Sequence, residues 1–427
     1  MKYTYYTMLL CLVLSCTSKT AEKSVISAED YNSYLENTAH ESLKTATESK
    51  EFWSQRLAAD TSGVGEIGPL SGAYTSLFDA TGNVQDLKEA EILIRKGLAI
   101  SANDKEGFAR SLAHNLIAQH RFKEAREVLE QYYSGPSNKK DTEYMLFDVY
   151  MENGEYEKAD TYLGKIKANG DYNYLIRLAK WSDFKGDLDA AIKYMEKAKD
   201  VAESRNSSPL MIWTYSNLGD FYGHAGRIED AYNMYLKTLE LQPDNAYAKR
   251  GIAWIAYASE KDTEEANRIL DSIMVQHKAP DYYLLKAEMA EYNGNTSEAT
   301  AFTNKFVTAV SQPQYGAMYN AYLIEIYSEE DPQRALEMAK QEVANRATPE
   351  TYHLLALAQL KAGNEKEALQ TIQDHVVGKT FEPMAAYHTA LVYKANGMEK
   401  EVAPLKEDLL TAEFELGPVL TQKVRQL

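Results

Sequence analysis

Gly63-Val64-Gly65-Glu66-Ile67-Gly68 spells G-x-G-x-x-G. That spacing lets a backbone approach a dinucleotide pyrophosphate when a strand precedes it and a crossover helix follows. Here a polar helical stretch precedes the run and Pro69 follows it, so residues 61–69 read as a flexible linker. Eight histidines are the next candidates for acid–base or metal chemistry. None forms the H-E-x-x-H pair that puts two imidazoles on one helix face, and His114 and His120 lack an acidic third ligand at helical spacing. The sequence holds neither a G-x-S-x-G elbow nor a P-loop. The expectation is a chain without catalytic residues, cofactor or metal, whose histidines are packed or solvated.

Both cysteines, Cys11 and Cys16, lie at the extreme N-terminus. Lys2 is followed by an apolar run over residues 8–14 and then by Ser15, a pattern too short to span a bilayer and suited to a secretory signal. Val13-Leu14-Ser15-Cys16 resembles the lipobox of bacterial lipoproteins. The resemblance implies cleavage before Cys16 and a lipid on that residue; an ordinary cleaved signal peptide is the alternative. Residues 1–15 are then a signal peptide and residues 16–26 a polar lipidated tether. One cysteine would remain, which leaves no intrachain disulfide and no thiol nucleophile. Thr17 after the cysteine does not, by the same resemblance, retain the chain at the inner membrane. The expected location is the outer membrane of a Gram-negative envelope, facing the periplasm, with membrane contact through the lipid on Cys16 alone.

The 427 residues carry 46 Lys+Arg against 63 Asp+Glu, a formal charge of −17. Nucleic-acid binding through phosphates needs a basic face, so no nucleic-acid partner is expected. Adhesion to anionic headgroups by charge is disfavoured too. An acidic surface is compatible with plain solubility or with a basic partner. Tyrosine is abundant, 31 against 11 phenylalanines.

The elements that would position any site come from a repeat. Tyr215-x2-Leu218-Gly219-x2-Tyr222, Ala231-x3-Tyr235 and Pro243 follow the order W-x2-L-G-x2-Y … A-x3-F … P, and the chain resembles the tetratricopeptide family through them. Small residues recur at Ala90, Ala125, Ala159, Ala191, Ala231, Ala266, Ala299, Ala335 and Ala368, between 32 and 40 residues apart, with Val402 at the tenth position. Turn signals precede them, as in Asn153-Gly154-Glu155, Lys185-Gly186-Asp187 and Ala362-Gly363-Asn364, where glycine permits the positive φ that ends a helix. The expected fold is all-α, a right-handed α-solenoid of about ten helix pairs over residues 70–416. A helical cap and linker over 27–69 precede it, with Phe52, Trp53 and Leu57 covering the first unit. A short capping helix over 417–427 closes it.

In proteins of this family the first helix of each unit lines a concave groove, and the resemblance implies which residues point inward. On this chain they are Tyr144 and Asp148; Trp213, Ser216 and Asp220; Tyr247, Arg250, Trp254 and Tyr257; and Leu284, Glu288 and Glu291. Aromatics interleaved with carboxylates suit a protein or peptide partner bearing basic side chains. The same spacing also suits helix packing. Two functions are compatible with this surface: an adaptor for envelope assembly, secretion or transport, or a glycan- or solute-binding lipoprotein that stacks rings on the groove aromatics. The lipidation reading predicts that Cys16→Ser abolishes fatty-acid incorporation and membrane attachment; labelled fatty acid in a lipoprotein-processing host measures both.

Overall fold

The computed structural model describes residues 24–57 and 63–427. The stretch expected to be a signal peptide, Cys16 and the expected tether up to residue 23 lie outside the described residues. Among those described there are twenty-three α-helices, one short 3-10 turn (Pro313–Tyr315) and no strand. Helices α1 (Ala28–Leu35) and α2 (Glu41–Arg56) come first. Ten antiparallel pairs follow: α3 (Val64–Thr81) with α4 (Val84–Ile100), α5 (Lys105–Ala118) with α6 (Phe122–Tyr132), α7 (Lys139–Glu152) with α8 (Tyr156–Lys165), α9 (Tyr172–Phe184) with α10 (Leu188–Ser204), and α11 (Ser208–His224) with α12 (Ile228–Leu241). They continue as α13 (Ala246–Ala258) with α14 (Thr263–Gln276), α15 (Tyr282–Tyr292) with α16 (Thr296–Val310), α17 (Asn320–Glu330) with α18 (Pro332–Asn345), α19 (Pro349–Lys361) with α20 (Glu365–His375), and α21 (Pro383–Ala395) with α22 (Glu399–Thr411). Helix α23 (Glu413–Arg425) ends the chain. The architecture is an α-solenoid.

Each pair is held by its small residue. Ala90, Ala125, Ala159, Ala191, Ala231, Ala266, Ala335 and Ala368 are completely buried, and Val402 nearly so. A methyl group there lets two helix axes approach closely, and the larger apolar residues on either side interlock around it. Ala299 departs from the pattern and is half-buried. Helix α16 buries only Phe306 and Val310, in its later turns, so its crossing with α15 is shifted toward its C-terminal end.

Several boundaries differ from the sequence expectation. Helix α3 begins at Val64, inside the stretch read as linker, with Gly65, Gly68 and Pro69 as helical residues. The buried pair Ile67 and Leu70 draws this stretch into the core, and Pro69 removes only the one amide that would have bonded to Gly65. The N-terminal helices do not form a simple cap. Helix α2 packs on α3, but Phe52 is exposed, edge-on to Trp53 with the Arg56 guanidinium over its ring. Helix α1 docks far along the array on α12 and α14. There Tyr31 is buried and donates to Glu265, Tyr232 donates to Asp30, and the amides of Val25 and Ile26 donate to Glu260 at 2.6 and 3.0 Å. The last array helix ends at Thr411, so the array stops before residue 416.

The array is wound so tightly that successive superhelical turns touch. Glycines that end first helices with positive φ sit against the loops of the next turn: Gly82 against Ala279, Gly154 against Ala347, Gly186 against Phe381. These partners differ by 197, 193 and 195 in residue number, about six units of the repeat. Lys278 donates its amide to Thr81 O at 2.7 Å in the first contact. Beside the second, Glu152 is clamped by Lys180 at 2.7 Å and by Arg346 from the next turn at 3.2 Å. Burial pushes the Glu152 carboxyl up, but the two cations outweigh it and hold the group below the ordinary glutamate range.

Two stability tests follow. Ala231→Arg overfills the crossing of α11 and α12 and lowers the melting temperature, costing at least the ~1–3 kcal/mol of an overpacked core. Gly154→Ala and Gly363→Ala both pay the left-handed penalty of roughly 1–2 kcal/mol. A Cβ on Gly154 would also lie 2.6 Å from Ala347 O, whereas one on Gly363 meets nothing, so Gly154→Ala melts clearly below Gly363→Ala.

Candidate functional site

The first helices of successive units share one face. Counting back from the small residue of each unit places Asp148, Asp220, Trp254, Glu288 and Glu325 at equivalent positions, the count varying between 10 and 12 because the intervening turns differ in length. This row forms one wall of the face.

Part of it is tied up in packing. Tyr144 is buried and donates to Asp171 Oδ1 at 2.6 Å. Asp148 pairs with Arg177 at 2.6 Å, and the Arg177 guanidinium lies over the Tyr144 ring. These two residues therefore bridge α7 to α9 and lie apart from the other expected site residues. Ser216 bonds back to the carbonyls of its own helix.

A second group is drawn together between α11, α13, α15 and α17. Asp220 accepts from Tyr235 at 2.7 Å and from Tyr247. Tyr235 reaches it by slotting its ring between Gly219 and Gly251, where any side chain would collide with the ring. Burial pushes the Asp220 carboxyl up despite both hydroxyls. Arg250 lies 3.8 Å from Asp281. Arg250, Asp281, Trp254, Leu284, Glu288, Tyr322 and Glu325 line a cavity of about 290 Å³. Trp213, Tyr247 and Tyr322 expose nearly half their surface, 42%, 48% and 42%. Trp213 is edge-on to Tyr172 at 6.4 Å.

The third group is covered by the chain itself. Helix α23 packs on α11, α13 and α15 as well as on α21 and α22. It is therefore more than the end cap expected from its sequence. Trp254 Nε1 donates to Phe414 O at 3.1 Å. Tyr257 is completely buried and donates to Glu288 Oε1 at 3.0 Å. Glu291 pairs with Lys423 at 3.1 Å.

Two carboxylates on this face stand out. Burial pushes Glu288 up to about 7, against the Tyr257 hydroxyl. Burial alone pushes Glu325 up to about 7, and among the described residues no hydrogen bond or ion pair meets its side chain. Tyr322, Glu325 and Asp281 were not expected from the sequence. The unit carrying α17 has Asp331-Pro332 in place of a glycine turn, and the shortened turn hides the equivalence of Glu325 with Glu288 until the count is corrected for it. Nor did spacing announce His353 and His388, whose Nδ1 atoms meet at 2.9 Å between α19 and α21; burial pushes His388 down to about 3. Among the described residues no group of His, Cys, Asp and Glu is arranged to hold a metal ion, and no helix is long and apolar enough to cross a membrane.

A chain of stacked helix pairs with a shared first-helix face is an α-solenoid. Residues 173–244 match the family model described as tetratricopeptide repeat. Among solved structures, the yeast Tom70 crystal structure is 14% identical, covering 94% of this chain and 96% of that one at a TM-score of 0.40. The human IFIT1 dimer with PPP-AAAA is 14% identical over 73% of this chain and 71% of that one, TM-score 0.47. A tetratricopeptide repeat protein from Parabacteroides merdae is 15% identical over 60% of this chain and 96% of that one, TM-score 0.33. No curated protein sequence matches the chain.

The folded pKa of Glu325 lies above the unfolded value of ~4.3, so the fold disfavours its ionised form above pH 7. Stability lacking at pH 8 returns as pH falls from about 7 to about 4.3, between the folded and unfolded values, by at most about 1.4 kcal/mol per pH unit for one proton. Glu325→Gln therefore melts above the parent at pH 8 and level with it near pH 4, as thermal melts across pH will register.

Proposed function

We propose that this chain is a lipid-anchored tetratricopeptide scaffold of the bacterial envelope, which binds a protein segment carrying basic side chains on its concave first-helix face. It works as an adaptor and carries no chemistry of its own. The observation that carries the reading is Glu325: a carboxylate without a countercharge, set in an aromatic-walled cavity beside Glu288. A lysine or arginine from a partner would supply the missing charge, and the half-exposed ring of Tyr322, which lines the cavity, would flank its stem. Arg250 is already engaged by Asp281, which leaves the cavity acidic on balance. The net charge of −17 favours encounter with a basic partner and disfavours nucleic acid. Lipidation at Cys16 and an outer-membrane, periplasm-facing location rest on the lipobox resemblance.

Crosslinking in intact cells followed by mass spectrometry tests the partner. Wild type captures specific proteins; Tyr247→Ala and Glu325→Lys each weaken capture about tenfold or more, as loss of an anchoring contact does. Capture by purified protein also falls as salt rises. Binding of glycans instead, indifferent to salt and lost with Trp213→Ala and Tyr247→Ala, would replace the adaptor reading with the solute-binding one.

A further inference from the structure

The segment after α22 turns back and lies along the first-helix face of three consecutive units. Its Phe414 ring sits on Gly223 of α11, so close that a Cβ there would be 2.7 Å from the ring. The same ring is edge-on to Trp254 of α13 at 6.4 Å, and the Trp254 indole donates to the Phe414 carbonyl. At Gly417 the helix breaks, with φ 74° and ψ 168°. The bare backbone passes over Trp254 and Glu288, where a side chain would lie 2.8 and 2.7 Å from them. After Pro418 a short helix buries Val419 and Val424 and carries Lys423 to Glu291 of α15.

The segment thus sets an aromatic anchor on one unit, a kink over the next and a cation on the third. The fit is incomplete. The segment meets Glu288 with the Val419 amide, Gly417 brings no countercharge, and among the described residues no cation is in ion-pair contact with that carboxylate, Lys423 acting on it only from its pair with Glu291. The Lys423–Glu291 pair is half-exposed at both ends and so contributes little to holding the segment down. A segment of another protein with the same anchors and a cation placed directly against Glu288 would add an ion pair to the contacts that α23 makes.

We infer that residues 412–427 are a built-in occupant of the concave face. The surface they cover, formed by Gly223, Trp254, Tyr257, Glu288 and Glu291, docks a partner segment of matching chemistry: an aromatic residue, a glycine–proline break three residues on, and an apolar helical turn ending in lysine. The resident segment and the partner compete for one site. The inference deepens the scaffold reading but rests on it only for the existence of an outside partner.

The test uses the full chain and a fluorescent synthetic peptide of residues 412–427. Phe414→Ala with Lys423→Glu loosens the resident segment, and the expected result is at least tenfold tighter peptide binding than to wild type. Adding Trp254→Ala to the loosened chain abolishes it. Equal affinity for wild type and the loosened chain, or binding that survives Trp254→Ala, overturns the inference. Hydrogen exchange on the wild-type chain gives a second arm that needs no variant. Amides of residues 419–427 exchange at least tenfold faster than those of α13 and α15; equal protection overturns the inference. A peptide that binds as expected while no cellular partner is captured would retire the adaptor reading and leave this site standing.

Discussion

The contact between successive superhelical turns governs the rest of this molecule. Glu152, Lys180 and Arg346 form a charge cluster drawn from units far apart in the chain, beside the glycine at which the Ala347 carbonyl approaches the turn. Desolvating three charges is costly, and their mutual attraction offsets that cost only when the geometry holds all three in place. The cluster therefore favours the spacing of the turns at which all three groups meet. At that spacing, Gly82 and Gly186 meet their partner loops at nearly the same sequence offset, and the first-helix face becomes narrow enough for one short helix to bridge three units.

The surplus of tyrosine over phenylalanine has a physical reason in the same packing. Tyr133, Tyr150, Tyr215 and Tyr222 bury their rings between helices and donate to Glu143, Glu130, Glu203 and Glu196. A phenylalanine would fill the space equally well and leave the carboxylate short of a donor. In a chain with 63 acidic residues this is a means of seating carboxylates near an apolar core, each bond to a charged acceptor contributing about 1.5–3 kcal/mol. Against that background Glu325 has no tyrosine donor, and Glu288 accepts one tyrosine hydroxyl and the Val419 amide. Groups whose ionisation is displaced without a structural partner are the ones worth suspecting of a binding role.

The face is divided into an open part and a covered part. Tyr247, Arg250, Tyr322 and Glu325 lie in the open part, while Trp254 and Glu288 lie at its border with the part under α23. Tyr144 and Asp148 belong to neither, since they join one unit to the next. The expected groove was thus one surface in sequence and three environments in space. Its central residues carry the functional reading, and its outlying ones are structural.

The sequence by itself determined what depends on neighbours. Alanines at a regular interval set the helix crossings, glycines set the turns, and aromatic positions set which rings are buried; each acts within a unit or against the next one, as stacking in a solenoid requires. Ala231, Gly154 and Tyr235 could all be placed from spacing alone. What only the tertiary structure decided is how units six apart meet. The superhelical pitch accumulates from a small rotation at every junction, and no single residue encodes it. So the docking of α1 on α14, the clamp of Arg346 on Glu152, and the return of α23 over Trp254 were invisible to any reading by period. Gly417 shows the limit most plainly: its type suggests a break, but only the folded array reveals that the break lets a backbone pass over an indole and a carboxylate.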